Sequence, residues 1–205
     1  MKKNFWKNKK VFITGHTGFK GSWLTLLLSS LGAKVIGYSL DPISKPNFFD
    51  NLKLKKFLEK DIRNDILNYK RLKTEILKNK PSIVFHLAAQ SSVLVSYKNT
   101  RETVSTNVMG TTNILEAVKN ARSVQSLIII TTDKVYLNLE RKNSFKEDSK
   151  LGGHDIYSSS KAACEIISES YIKSFYQNSH CKIATVRAGN CIGGGDWTKD
   201  RILKD

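Results

Sequence analysis

The stretch Lys10-Val11-Phe12-Ile13-Thr14-Gly15-His16-Thr17-Gly18-Phe19-Lys20-Gly21 decides the fold. Val11-Phe12-Ile13 is a short apolar run of strand-forming residues, and Gly18–Leu31 reads as a helix directly after it. Between the two stands G-x-x-G-x-x-G, a variant of the dinucleotide fingerprint. Gly15 permits a tight turn, Gly18 lets the backbone approach a pyrophosphate, and Gly21 allows strand and helix to pack closely. Thr17 and Phe19 complete the loop. The helix N-terminus adds free N–H groups and a positive dipole end, which suits phosphate. Three glycines alone are a weak signal. Their position between a first strand and a first helix makes them a strong one.

Outward from this loop, strand and helix patterns alternate. Strands are expected at Lys10–Thr14, Lys34–Tyr38, Phe57–Asp61, Ser82–His86, Ser126–Thr131 and Lys182–Arg187. Helices are expected at Gly18–Leu31, Ile66–Lys78, Thr100–Asn120 and Ile156–Gln177. The run Leu127-Ile128-Ile129-Ile130 lacks polar alternation, as in a strand buried on both faces. This spacing implies an α/β fold, a Rossmann-type doubly wound parallel sheet. Gly32 stands where a helix-ending glycine belongs. The polar stretch Asn138 to Asp155 is a long loop of the kind that borders active sites.

Composition narrows the function classes. The chain has 205 residues, 40% hydrophobic and 25% charged, with three prolines, which suits one globular core and not a disordered chain. Its most apolar stretch, Trp23 to Leu31, is too short to span a bilayer. Val11–Ile13 is too short for a signal peptide, so a cytoplasmic protein with no membrane role is expected. Cys164, Cys181 and Cys191 form no C-x-x-C pair and are expected as buried reduced thiols. The four histidines lack metal-ligand spacing, so no metal site is expected. The net charge of +16 is spread along the chain and joined by no nucleic-acid module, so it reads as a solvated surface with affinity for anionic substrates.

Further residues fall into place around the loop. Asp41 ends the second strand about 20 residues past Gly21, where a carboxylate holds the ribose 2′-OH of NAD. Asp41-Pro42 also reads as a plain turn, and Lys45 nearby favours NADP, so NADP stays open. Asp61 and Ile62, at the third strand's end, are expected beside the adenine. Tyr157-Ser158-Ser159-Ser160-Lys161 puts a phenol and an ammonium on one helix face, where the charge favours the phenolate and makes Tyr157 an acid/base. Y-x-x-x-K is common by chance. Thr132, at the carboxyl end of the fifth strand, stands where doubly wound folds place their ligands and can bond the reacting hydroxyl.

Taken together, Thr14 to Trp23, His86-Leu87-Ala88-Ala89-Gln90, Ser105 to Thr111, Thr132-Asp133-Lys134, Tyr157 to Lys161, and Arg187 to Asn190 with Gly193-Gly194-Gly195-Asp196-Trp197 carry a resemblance across nearly the whole chain. The sequence resembles the extended short-chain dehydrogenases that act on nucleotide sugars, most closely the CDP-glucose 4,6-dehydratases. That resemblance implies bound NAD, CDP-glucose or a related nucleotide sugar as substrate, and a homodimer or higher oligomer. It adds Leu87, Ala88 and Ala89 to the cofactor contacts. It implies C4 oxidation through Tyr157, Lys161 and Thr132, loss of water across C5 and C6, and hydride return to C6. Asp133 would assist loss of the 6-OH, Lys134 would act at C5, Asn190 would contact the diphosphate, and Asn107 would serve structure or a proton relay.

The sequence also departs from that pattern. Ser91 and Leu94 stand where relatives carry Pro and Arg, and 139–144 replaces a Trp-rich segment. His154 and Ile156 replace Tyr and Pro. Residues 1–187 are expected to form the NAD(P)-binding domain. Residues 188–205 are expected to begin a substrate-binding region that the chain largely lacks. Two other readings stay open: a silent NAD-binding fragment, and another nucleotide-sugar enzyme such as an epimerase, which Asp133-Lys134 argues against.

Overall fold

The computed structural model describes residues 3–140 and 144–199. Its elements run α1 Lys3–Trp6, β1 Lys10–Thr14, α2 Phe19–Ser30, β2 Lys34–Ser39, α3 Phe48–Asn51, β3 Leu58–Arg63, α4 Tyr69–Asn79, β4 Ile83–His86, α5 Val93–Lys98, α6 Thr100–Val104, α7 Gly110–Lys119, β5 Ser126–Thr132, α8 Ile156–Tyr171 and β6 Lys182–Ala188. The strands form one sheet in the order β3-β2-β1-β4-β5-β6, every neighbouring pair parallel. Strand order reverses between β1 and β4, and that switch point opens a crevice at the carboxyl edge.

Two apolar layers hold the sheet. On one face Phe12, Ile36, Val84, Leu127 and Ile129 pack with Leu72, Ile76, Ile114 and Leu115 from α4 and α7. On the other, Val11, Ile13, Val35 and Ile83 meet Leu28 of α2, with Trp6 and Leu24 alongside. Contrary to expectation, only alternate residues of Leu127–Ile130 are fully buried; Ile128 and Ile130 are half-buried. The second layer is centred on α2 over β1 and β2, so it covers β5 incompletely.

Caps explain the helix limits. Gly32, at φ +85°, lets its N–H reach Ser29 and that of Ala33 reach Leu28, a Schellman ending for α2. Asp155 caps α8 by accepting from the Ser158 N–H at 2.9 Å and the Ser158 hydroxyl at 2.6 Å, which fixes Tyr157 in the first turn. The helix expected at Thr100–Asn120 forms but is interrupted by a π-helical turn, Ser105–Met109. A second such turn, Ile172–Tyr176, closes the helix expected at Ile156–Gln177.

The first π turn carries Asn107, which is buried. Its Oδ1 accepts the Gln90 N–H at 2.9 Å, and its Nδ2 donates to the Gln90 carbonyl at 3.0 Å and to Ser160 Oγ at 2.8 Å. One amide thus ties the loop after β4 to α8. Asn107→Ala leaves two backbone groups of Gln90 unpaired and should cost about 2–4 kcal/mol, roughly 5–10 °C in Tm. Ser160→Ala should cost less. Equal melting of both variants and the unsubstituted chain would show that the staple carries no stability.

Candidate active-site cleft

The loop after β1 is shaped by what its glycines exclude. A Cβ on Gly15, itself at φ +74°, would stand 2.7 Å from the Ala88 nitrogen, and one on Gly21 would stand 2.1 Å from the Gly15 oxygen. Three backbone segments therefore converge where no side chain fits. Gly18 precedes α2 with no side-chain cap, so the first N–H groups of the helix face the crevice. Thr17 is turned away to fasten the loop: its hydroxyl meets Ser39 Oγ and the Leu40 carbonyl, both at 2.9 Å.

The crevice encloses about 800 Å³. One wall is the loop, with Gly15, Thr17, Gly18, Phe19 and Gly21; the floor is Leu87, Ala88 and Ala89 from the end of β4. Asp41 lines its far corner. Thr132, Lys134, Tyr157, Lys161 and Asn190 line the opposite end. Asp61 and Ile62 are not among the lining residues, contrary to expectation. Asp61 turns inward to His16 Nε2 at 2.9 Å and to Arg63, and Ile62 packs against the core. Asn64, Asp65, Ile66 and Leu67 take that place. Lys45 does not line the cleft either.

Electrostatics around His16 follow from burial. Burial pulls the His16 pKa below its ordinary value despite Asp61 beside it, so its Nε2–H donates as a neutral ring. Burial acts to raise the Asp61 pKa, but hydrogen bonds from Arg63 and His16 hold it below the usual carboxylate range.

At the other end, Tyr157 and Lys161 are both buried. Lys161 Nζ donates to the Ile130 carbonyl at 3.1 Å. Burial lowers its pKa, with Lys20 acting the same way and Cys164 and Glu165 opposing. The Thr132 hydroxyl donates to Asp133 Oδ1 at 3.0 Å. Lys134 Nζ bridges Asp133 Oδ1 at 3.4 Å and Asn190 Oδ1 at 3.3 Å. Asp133 is absent from that lining but half-exposed at its edge, held there by the bonds to Thr132 and Lys134.

Two features escaped the sequence reading. Gly193–Gly195 roofs the loop: Trp23 Nε1 donates to the Gly194 carbonyl at 3.2 Å, Trp23 stacks on Phe48, and Gly195 at φ +91° leaves no room for a Cβ beside Phe48. The run Gly193-Gly194-Gly195 was the available signal, quoted for its resemblance and not for this role. The second is a buried polar chain. Thr14 Oγ1 accepts the N–H groups of Leu87 and Ala88, each at 3.2 Å, so its own proton goes to His86 Nδ1 at 2.8 Å. His86 Nε2–H then meets Thr111 at 3.3 Å, Thr111 donates to Cys164, and Cys164 donates to the Asn107 carbonyl.

Other expectations divide. Cys164 and Cys181 are buried thiols, whereas Cys191 is exposed and lines the cleft. Among its described residues the Asn138–Asp155 loop contributes nothing to the cleft; it packs on β6 through Tyr136, Phe145 and Arg187. Residues 141–143 and 200–205, part of the segments singled out at 139–144 and 188–205, lie outside the described residues. Among the described residues no His, Cys, Asp and Glu cluster suits a metal, and no helix is long and apolar enough to cross a membrane.

The GDP-mannose 4,6 dehydratase family model matches residues 12–189. The chain belongs to that family. The CDP-glucose 4,6-dehydratase of Salmonella typhimurium is 46% identical over 99% of this chain and 58% of its own length. A dTDP-D-glucose 4,6-dehydratase of Dictyostelium discoideum is 33% identical over 96% of this chain and 47% of its own. The chain thus spans about half the length of these relatives. Among solved structures, the UDP-glucuronic acid 4-epimerase of Bacillus cereus, in complex with UDP-glucuronic acid and NAD, aligns at TM-score 0.71 and 29% identity, covering 87% of this chain and 55% of that one.

His86 yields a pH test. Burial first, and the Lys161 charge second, push its pKa down to about 3. The folded state therefore refuses a proton that the unfolded chain binds below about pH 6.5, and stability falls as pH drops from there toward 3. His86 should contribute up to one proton of that slope, about 1.4 kcal/mol per pH unit. Urea denaturation of His86→Gln between pH 8 and 5 should show a slope shallower by that amount, on a lower plateau at pH 8. Identical slopes would contradict a neutral buried His86.

Proposed function

We propose that this chain forms the dinucleotide-binding part of a nucleotide-sugar 4,6-dehydratase that uses NAD and acts on CDP-glucose. Residues 1–187 make up that domain, and residues from 188 onward begin the substrate region. The observation that carries the reading is one cleft with two ends: a glycine loop and uncapped helix at one, and Thr132, Lys134, Tyr157 and Lys161 at the other. The 46% identity to a CDP-glucose 4,6-dehydratase supports the substrate, and the NAD in a structural relative supports the cofactor.

The residues present fit a dinucleotide. Gly15, Gly18 and Phe19 would face the pyrophosphate, Asp41 the ribose, and Leu87 to Ala89 the plane of the rings. When bound, the nicotinamide supplies a reversible hydride acceptor. Tyr157 takes the proton of the sugar 4-OH, and the Lys161 ammonium, fixed on the Ile130 carbonyl, stabilises the phenolate so formed. Thr132 hydrogen-bonds the same oxygen.

Ketone formation at C4 acidifies C5–H. Moving one proton across the 3.4 Å contact from Lys134 to Asp133 gives a neutral amine and a carboxylic acid. Lys134 then takes the C5 proton while Asp133 protonates the departing 6-OH, so water leaves. Asn190, already joined to Lys134 at 3.3 Å, faces the diphosphate. Pairing of family-type helices α6, α7 and α8 between copies would give a homodimer.

With NAD⁺ and CDP-glucose in D₂O, Lys134→Ala should abolish deuterium exchange at C5 while reduced nicotinamide still accumulates. Tyr157→Phe should lower reduction itself by about 10²–10⁴-fold. Unchanged C5 exchange in Lys134→Ala would rule out its role, and unchanged reduction in Tyr157→Phe would overturn the assignment of the acid/base.

A further inference from the structure

Past Asn190 the chain stays on the cleft. Gly193, Gly194, Gly195 and Asp196 line it together with Phe19 and Phe48. Three aromatic side chains hold this segment down. Trp23 of α2 donates from Nε1 to the Gly194 carbonyl at 3.2 Å, and its ring stacks on Phe48 with centroids 4.6 Å apart. Gly195, at φ +91°, lies so close to Phe48 that a Cβ would come within 2.2 Å of that ring. Trp197 then packs on the small cluster of Phe48, Phe49 and Leu54. Toward the cleft, a Cβ on Gly193 would stand 3.5 Å from Phe19 Cζ, so the segment crosses beside the residue that follows Gly18.

Three successive glycines have no side chains to hold them and lose the most conformational entropy on ordering. Their course is therefore set by the Trp23 bond and the Phe48 contact. Trp23 remains 43% exposed, so its indole adds little to the core, while its one donor serves the Gly194 carbonyl. We infer that residues 193–197 form a strap across the pyrophosphate end of the cleft, and that Trp23 is the positioning residue that keeps it down. This inference rests on the reading proposed above. A sugar oxidised at C4 regains its hydride at C6 only while the reduced dinucleotide stays in the cleft. A strap that starts three residues after Asn190 and ends on the wall of the glycine loop slows that departure without touching the reacting atoms.

The test is the rate of NADH release, timed by loss of its bound fluorescence when the loaded chain is mixed with excess NAD⁺. Trp23→Phe keeps a ring on Phe48 but loses the Nε1–H. It should speed release about two- to tenfold, the size of one neutral hydrogen bond, without slowing association. Gly195→Ala, which drives the strap off Phe48, should speed release at least as much. The two should not add, because each frees the same strap: the double variant should release NADH no faster than the quicker single one. Unchanged release in both single variants overturns the strap and leaves the cofactor reading standing. Fully multiplicative effects overturn it as well, since Trp23 would then act through α2 alone. Failure of the unsubstituted chain to bind NADH overturns both.

Discussion

At the start of the crevice, β1, α2 and the segment after β4 approach until backbone touches backbone. Gly15 lies against Ala88, and Gly21 against Gly15, at separations that any Cβ would violate. Much follows from that contact. It brings the Leu87 and Ala88 N–H groups onto Thr14, sets the α2 N-terminus over the switch point, and leaves the space between β1 and β4 open for a ligand. Had any of these positions carried a side chain, helix and strand would separate and the floor would fall away from the loop.

From this contact a neutral hydrogen-bond chain runs beneath the cleft, through Thr14, His86, Thr111 and Cys164 to the carbonyl of Asn107, whose amide then holds Ser160. Each hydroxyl or thiol both gives and receives, so the direction of donation is fixed from end to end. The chain joins the cofactor-type loop to the helix that bears Tyr157 and Lys161. A charge on His86 would face the Lys161 ammonium in a medium that screens poorly, which is why burial and Lys161 act on its pKa in the same direction. The π turn at Ser105–Met109 gives Asn107 its inward aim.

How much of this could be read from sequence depends on range. All six strands were legible because Val- and Ile-rich runs alternate with helical periods, and β1 begins and ends where its pattern does. The loop was legible because its glycines fall between the first strand and the first helix. Thr132, Tyr157 and Lys161 could be grouped because a strand end and a helix turn fix their direction, and Lys134 joined them through the resemblance. Asp61 could not be placed. Its carboxylate answers to His16, 45 residues away, and to Arg63, and no local pattern reports such a pairing. Asn64–Leu67 was missed for a similar reason, since Gly110 packs against Ile66 and brings that loop to the cleft. The short helices Phe48–Asn51 and Val93–Lys98 have too few turns for periodicity to show.

If the crevice at the β1–β4 switch point holds a dinucleotide against the glycine loop, its glycines must serve more than packing. Gly18 and Gly21 separate this from mere packing. A Cβ on Gly18, at φ −74°, meets only the Gly15 oxygen at 3.4 Å, whereas one on Gly21 meets the same oxygen at 2.1 Å. The decisive measurement is NAD⁺ titration of Gly18→Ala alongside its thermal melting, with Gly21→Ala as the packing control. Gly18→Ala should melt like the unsubstituted chain yet bind NAD⁺ about tenfold or more weaker, as the added methyl blocks the pyrophosphate. Gly21→Ala should lose stability itself. Unchanged NAD⁺ affinity in Gly18→Ala, or no binding by the unsubstituted chain, would contradict it.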